Sequence, residues 1–121
     1  MGYNSFEEMP VWKKSMDLAV SIFELTEKLP RKEDYGLISQ IRRSALSVPG
    51  NIAEGFGRKH TKDKLNFYYD SRGSLAETKN HLIYGHRVNY FAQTDFEKHR
   101  DIMEDIWKEL NSLISSLEKK A

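Results

Sequence analysis

The side chains best placed to do chemistry in this 121-residue chain are cations. Arg42, Arg43, Arg58, Lys59, His60, Lys62 and Lys64 fall within one stretch, where residues 31–64 hold eight Lys/Arg against four Asp/Glu, a local net of +4. Cations at that density are the footprint of phosphate contact. A helix N-terminus beside Thr61 would add backbone N–H donors for an anion. Phe56 and Tyr68 supply rings on which unpaired bases could stack. The same residues also read as an ordinary solvated cluster. Elsewhere the chain is not cationic: residues 1–30 and 91–121 each net −2 and 65–90 nets +1, for a total of +1. Any electrostatic footprint is therefore local, although an oligomer would repeat it around an axis into a salt-dependent polyanion site.

Reaction chemistry is poorly represented. Ser44, Ser47 and Ser74 have no histidine and acid at a recognisable spacing for nucleophilic catalysis. The run GFGRKHT at 55–61 lacks the GxxxxGK[ST] pattern that cradles phosphates. Glu77 and His81 stand one helical turn apart, but a metal needs three or four converging ligands. His86 and His99 read as surface histidines. Asn51, Glu54 and Arg58 could line a pocket, yet Glu54 and Arg58 at i, i+4 form an ordinary helix-stabilising pair. No catalytic residue, metal or cofactor is expected. The absence of cysteine removes disulfide and thiolate chemistry. No 18-residue apolar segment exists and no apolar run follows a basic start, so the expectation is a cytoplasmic protein with neither membrane span nor export signal.

The elements that must position these groups are helical. Leu37, Ile41, Ala45, Val48 and Ile52 recur at steps of four, four, three and four, one face of a helix. Pro49 lies within that face, at a cost of about 3 kcal/mol for a helix interior. The spacing stays in phase across it, which predicts one helix kinked at Pro49, with Ser44 and Ser47 as candidates to meet the freed Ala45 carbonyl, directly or through water. Gly55 and Gly57 offer places for the helix to stop. Gln40, Ser44, Ser47, Asn51 and Glu54 form a second, polar row. It is either a solvated face or one that meets another helix or subunit closely, and Arg42 or Arg43 on its flank could pair with Glu77.

Similar spacing defines three further helices. The first runs from Pro10 to Leu29 behind a polar arm (1–10) whose Phe6 and Met9 could tuck against the bundle. The third runs from an N-cap at Thr61 to about Arg87. The fourth opens with a capping box at Thr94–Glu97 and carries Phe96, Met103, Ile106, Leu110, Leu113 and Leu117. Asn89 suits a left-handed C-cap. Together these give an all-α, single-domain, antiparallel up-down-up-down four-helix bundle spanning residues 1–121. Several apolar faces exceed the ~100° stripe of a solitary surface helix. The aromatic excess at Phe67, Tyr68 and Tyr69, with Trp12, is expected to be buried between copies of the chain in a homo-oligomer.

RRSALSVPGNIAEGFGR (42–58), GSLAE (73–77), VWKKSMDLA (11–19) and LPRKEDYGLISQIRR (29–43) resemble a bacterial four-helix-bundle family encoded in intervening sequences of 23S rRNA genes. The likeness runs from Val11 to Tyr90, while the last helix shares only heptad character. Gly50 departs from the pattern, which favours alanine or another helix former there. The family is similar to the accessory (variability determinant) proteins of diversity-generating retroelements. That resemblance implies a pentamer that contacts RNA or DNA and has a reverse transcriptase as partner, acting without catalysis. The alternative is an oligomeric protein-interaction scaffold that binds no nucleic acid.

Overall fold

The computed structural model describes residues 2–121, and these contain four α-helices and no strand. Helix α1 spans Pro10–Thr26, α2 Leu37–Phe56, α3 Thr61–Arg87 and α4 Gln93–Glu118. Short 3-10 turns precede α1 at Phe6–Glu8 and α2 at Arg31–Glu33. Helix α2 continues through Pro49 without a break.

The inward residues are those the spacing selects. Leu18, Ile22, Ile41, Ala45, Val48, Ile52, Leu82, Ile106 and Leu110 are fully buried, joined by Leu75, Met103 and Tyr68. Each large aliphatic side chain so placed contributes roughly 1.5–3 kcal/mol. Met9 of the arm is buried as well, and Phe6 packs edge-on against Trp12 with ring centroids 5.1 Å apart. Contacting residues on neighbouring helices run in opposite directions. Arg43 meets Glu77, Ser44 meets Thr78, the Val48 carbonyl meets Ser71, and the Phe56 carbonyl meets Lys64. Likewise Tyr69 meets Glu118, Arg72 meets Asn111, and Lys79 meets Glu104.

Helix ends differ from expectation for identifiable reasons. Helix α1 stops at Thr26 rather than Leu29, where the chain tightens into three-residue turns, the Glu27 and Leu29 amides donating to the Glu24 and Thr26 carbonyls ahead of Pro30. His60, not Thr61, takes the N-cap position of α3, with no side-chain cap. Helix α4 starts at Gln93, so Thr94 lies inside its first turn and the capping box does not form. Gln93 instead bonds Glu97 at 2.6 Å and His86 at 2.8 Å. Asn89 does adopt the left-handed conformation, with φ 68°.

Ser44 and Ser47 do not reach the Ala45 carbonyl. A hydroxyl on a helix bonds back to the carbonyl three or four residues earlier, so Ser44 donates to Ile41 and Ser47 to Arg43, at 3.2 and 2.9 Å. The polar row of α2 splits accordingly. Ser44 is buried against α3, while Gln40 and Glu54 are exposed.

Gly55 does not end α2. It sits inside the helix where a Cβ would come within 2.7 Å of the Tyr68 ring. A Cβ at Gly85 would overlap the ring of Phe91. Gly50, in contrast, has nothing within 4 Å of where its Cβ would stand. Opposite effects follow for one substitution type. Gly50→Ala should stabilise the chain by about 1 kcal/mol through helix propensity. Gly85→Ala should destabilise it by about 1–3 kcal/mol through overpacking. Urea denaturation of the two variants beside the parent protein checks both signs.

Candidate nucleic-acid interface

The expected cationic cluster is two groups, not one. Arg43 and the end of α2 at Phe56 are thirteen residues apart, or ~20 Å along a helix. Arg42 belongs to the fabric of the α1 end. Its Nε donates to the Thr26 hydroxyl at 2.8 Å, its guanidinium to the Phe23 carbonyl at 3.1 Å, and it lies over the Phe23 ring. Arg43 pairs with Glu77, as one of the two arginines was expected to do. Lys64 closes the C-terminus of α2, donating to the Phe56 carbonyl at 2.8 Å above the Phe56 ring. Arg58 pairs with Glu54 at 3.2 Å and covers the face of Phe67.

What remains at the α2–α3 corner is Lys59, His60 and Lys62. All three are exposed and, among the described residues, form no ion pair and no side-chain hydrogen bond. They surround the first turn of α3, whose amide donors have no side-chain cap. Such a turn attracts anions through its free N–H groups and the helix dipole. Tyr68 cannot serve as a stacking surface there, because it is only 2% exposed within the chain's own core.

That burial also removes Tyr68 from any surface between copies. Tyr69 is half-buried with its hydroxyl on Glu118 at 2.6 Å, Phe67 is half-buried under Arg58, and Trp12 packs on Phe6. The bundle absorbs most of the aromatic run. The apolar excess lies elsewhere, in a groove between α1 and α2 lined by Met16, Ala19, Val20, Phe23, Arg42 and Leu46. Val20, Phe23 and Leu46 are 51%, 49% and 58% exposed there.

His99 is not a surface histidine. It is buried, and its Nε2 lies 2.7 Å from the Ser21 hydroxyl of α1. Its Nδ1 is 2.7 Å from the Asp95 carbonyl. A carbonyl only accepts, so Nδ1 carries a proton, and in the neutral ring Nε2 accepts from the hydroxyl. Ser21 is not among the serines that the sequence singles out, although His99 stands in phase with Met103 and Ile106. The orienting group of this serine–histidine pair is a backbone carbonyl, neither residue lines any of the principal cavities, and Ser21 sits mid-helix where the amides are already bonded. The pair joins α1 to α4. Glu54 is open to solvent in a shallow depression, and no group of three or more metal-ligating side chains occurs among the described residues. No helix among them is long and apolar enough to cross a membrane.

Two carboxylates carry structural hydrogen bonds. Glu33 accepts from the Tyr90 hydroxyl at 2.8 Å and from the Leu37 amide at the start of α2, which together hold it below the ordinary value of 4.5. Glu77 is lowered by His81 and Arg43. A depressed carboxylate stabilises the fold fully above its unfolded value, and that contribution fades as pH falls through the folded one. Thermal stability should therefore drop from about pH 4.5 downward, with a shallower acid slope in Glu33→Gln. Melting curves across that range test it, and an unchanged slope in the variant contradicts it.

Known proteins place this geometry in context. The family model described as 23S rRNA-intervening sequence protein matches residues 7–112. The crystal structure of a protein of unknown function from the S23 ribosomal protein family of Bacteroides thetaiotaomicron is similar. It is 25% identical, with a TM-score of 0.78 over 86% of this chain and 97% of that one. No curated protein matches.

Proposed function

The chain belongs to the 23S rRNA-intervening sequence protein family, and from that premise we propose that it is a cytoplasmic homo-oligomer that binds RNA or DNA without catalysing a reaction. The observation that carries this reading is the α2–α3 corner. Lys59, His60 and Lys62 are exposed, without an ion-pair partner among the described residues, and grouped around the start of α3, where no side-chain cap occurs among them. Cations already engaged with carbonyls or carboxylates, such as Arg42 and Lys64, gain less from phosphate than cations facing water alone. Repetition of the corner around an oligomer axis multiplies an otherwise small site.

The α1–α2 groove supports self-association, since Val20, Phe23 and Leu46 stand together about half exposed to water. The likeness to retroelement accessory proteins favours five copies and a reverse transcriptase as partner. The second reading, a protein-interaction scaffold, rests on the same apolar groove.

Two experiments separate these ideas. Lys59→Glu with Lys62→Glu should weaken single-stranded RNA or DNA binding by about tenfold or more and flatten the salt slope by ~0.7 per lost phosphate contact. No binding by an intact oligomer at low salt favours the scaffold. Val20→Glu with Leu46→Glu should give a folded monomer by sedimentation. A parent protein that sediments as a monomer removes the oligomer from both readings.

A further inference from the structure

A concave site lies between α3 and α4, away from the basic corner and the α1–α2 groove. Its cavity volume is about 290 Å³, just under the range usual for small-molecule sites and too small for a docked helix. Leu75 and Met103, each 1% exposed, form its apolar floor. Ala76 on α3 leaves the space open, and Trp107 on α4 borders it while 41% exposed. Two lysines stand at its rim. Lys79 faces Glu104 at 3.9 Å, the longest ion pair among the described residues, and Lys108 has no carboxylate partner among them.

We infer that this groove binds a flat aromatic ring bearing one anionic group, the chemistry of a mononucleotide. The ring covers the exposed indole of Trp107 and the apolar floor, where stacking and burial both favour it. The anion seats at Lys108. Glu104 holds Lys79, which leaves Lys108 as the rim cation free of a carboxylate among the described residues, so a single anionic group fits better than a polyanion. This makes the site separate in chemistry from the corner at Lys59–Lys62, and it stands whether or not the chain binds nucleic acid.

Trp12 and Trp107 are the chain's two tryptophans, so Trp12→Phe leaves Trp107 as sole reporter. Adenosine monophosphate should quench its emission saturably and bind about tenfold tighter than adenosine or inorganic phosphate alone, because each lacks one of the two contacts. Ala76→Leu, which fills the groove, should abolish binding. Lys108→Glu should weaken the monophosphate about tenfold while leaving adenosine unchanged, and Lys59→Glu with Lys62→Glu should change neither. Equilibrium dialysis of the parent protein and Ala76→Leu reads the same binding if Trp12→Phe does not fold. Absence of saturable binding, equal affinity for adenosine and its monophosphate, or undiminished binding by Ala76→Leu overturns the assignment.

Discussion

The close contact of α2 with α3 is the constraint on which the rest of the bundle depends. It is the most extensive helix pairing in the molecule, and small side chains make it possible. Ser44, Gly55, Ser71 and Thr78 are all buried there, and their size brings the backbones near enough for hydroxyls to bond across. Ser71 donates to the Val48 carbonyl at 2.8 Å, and the Ser44 and Thr78 hydroxyls are 2.8 Å apart. Two protons serve three short contacts there, since Ser44 also approaches the Ile41 carbonyl and Thr78 that of Ser74. Whichever way the hydroxyls turn to avoid opposing lone pairs, one hydrogen bond crosses between the helices. Every buried side-chain polar atom among the described residues has a partner, so this seam avoids the penalty of burying polar groups unmet.

The other two helices are held differently. Helices α1 and α4 touch least among neighbouring pairs. They are joined by the buried Ser21–His99 hydrogen bond and, at the surface, by Lys14 with Asp105 and Glu109. One exposed apolar group lies between α1 and α2, because α2 turns its small, polar face to α3 and leaves Leu46 outward beside Val20 and Phe23. The seam thus decides which surface of α2 stays open to solvent.

Much of this was legible in the amino-acid order. The five apolar positions of α2, its passage through Pro49, the pairing of Arg43 with Glu77 and the turn at Asn89 all follow from spacing and local conformational preference. The features that did not show there share a cause. Whether Tyr68 is core or surface, whether His99 faces water, and which helix supplies the apolar excess depend on how helices are rotated against one another. Periodicity gives a stripe's width but not its partner. Helix α3 begins at Thr61 and α4 one residue before Thr94, so neither threonine stands at the N-cap position that its chemistry suits.

The candidate site was legible only in composition, for a physical reason that bears on any helical bundle. Each helix ends in carbonyls without intrahelical donors, and nearby long cationic side chains are the easiest donors to recruit. Arg42 serves the end of α1 and Lys64 the end of α2, while aromatic faces hold the hydrocarbon stems of Arg42, Arg58 and Lys64 in place. A count of basic residues therefore overstates the positive surface offered to a ligand, most of all near helix ends. The cations that matter for binding are those left over once the termini are satisfied. In this chain they flank the start of α3, which no side chain caps among the described residues, so free charge and unbonded amides fall at one corner.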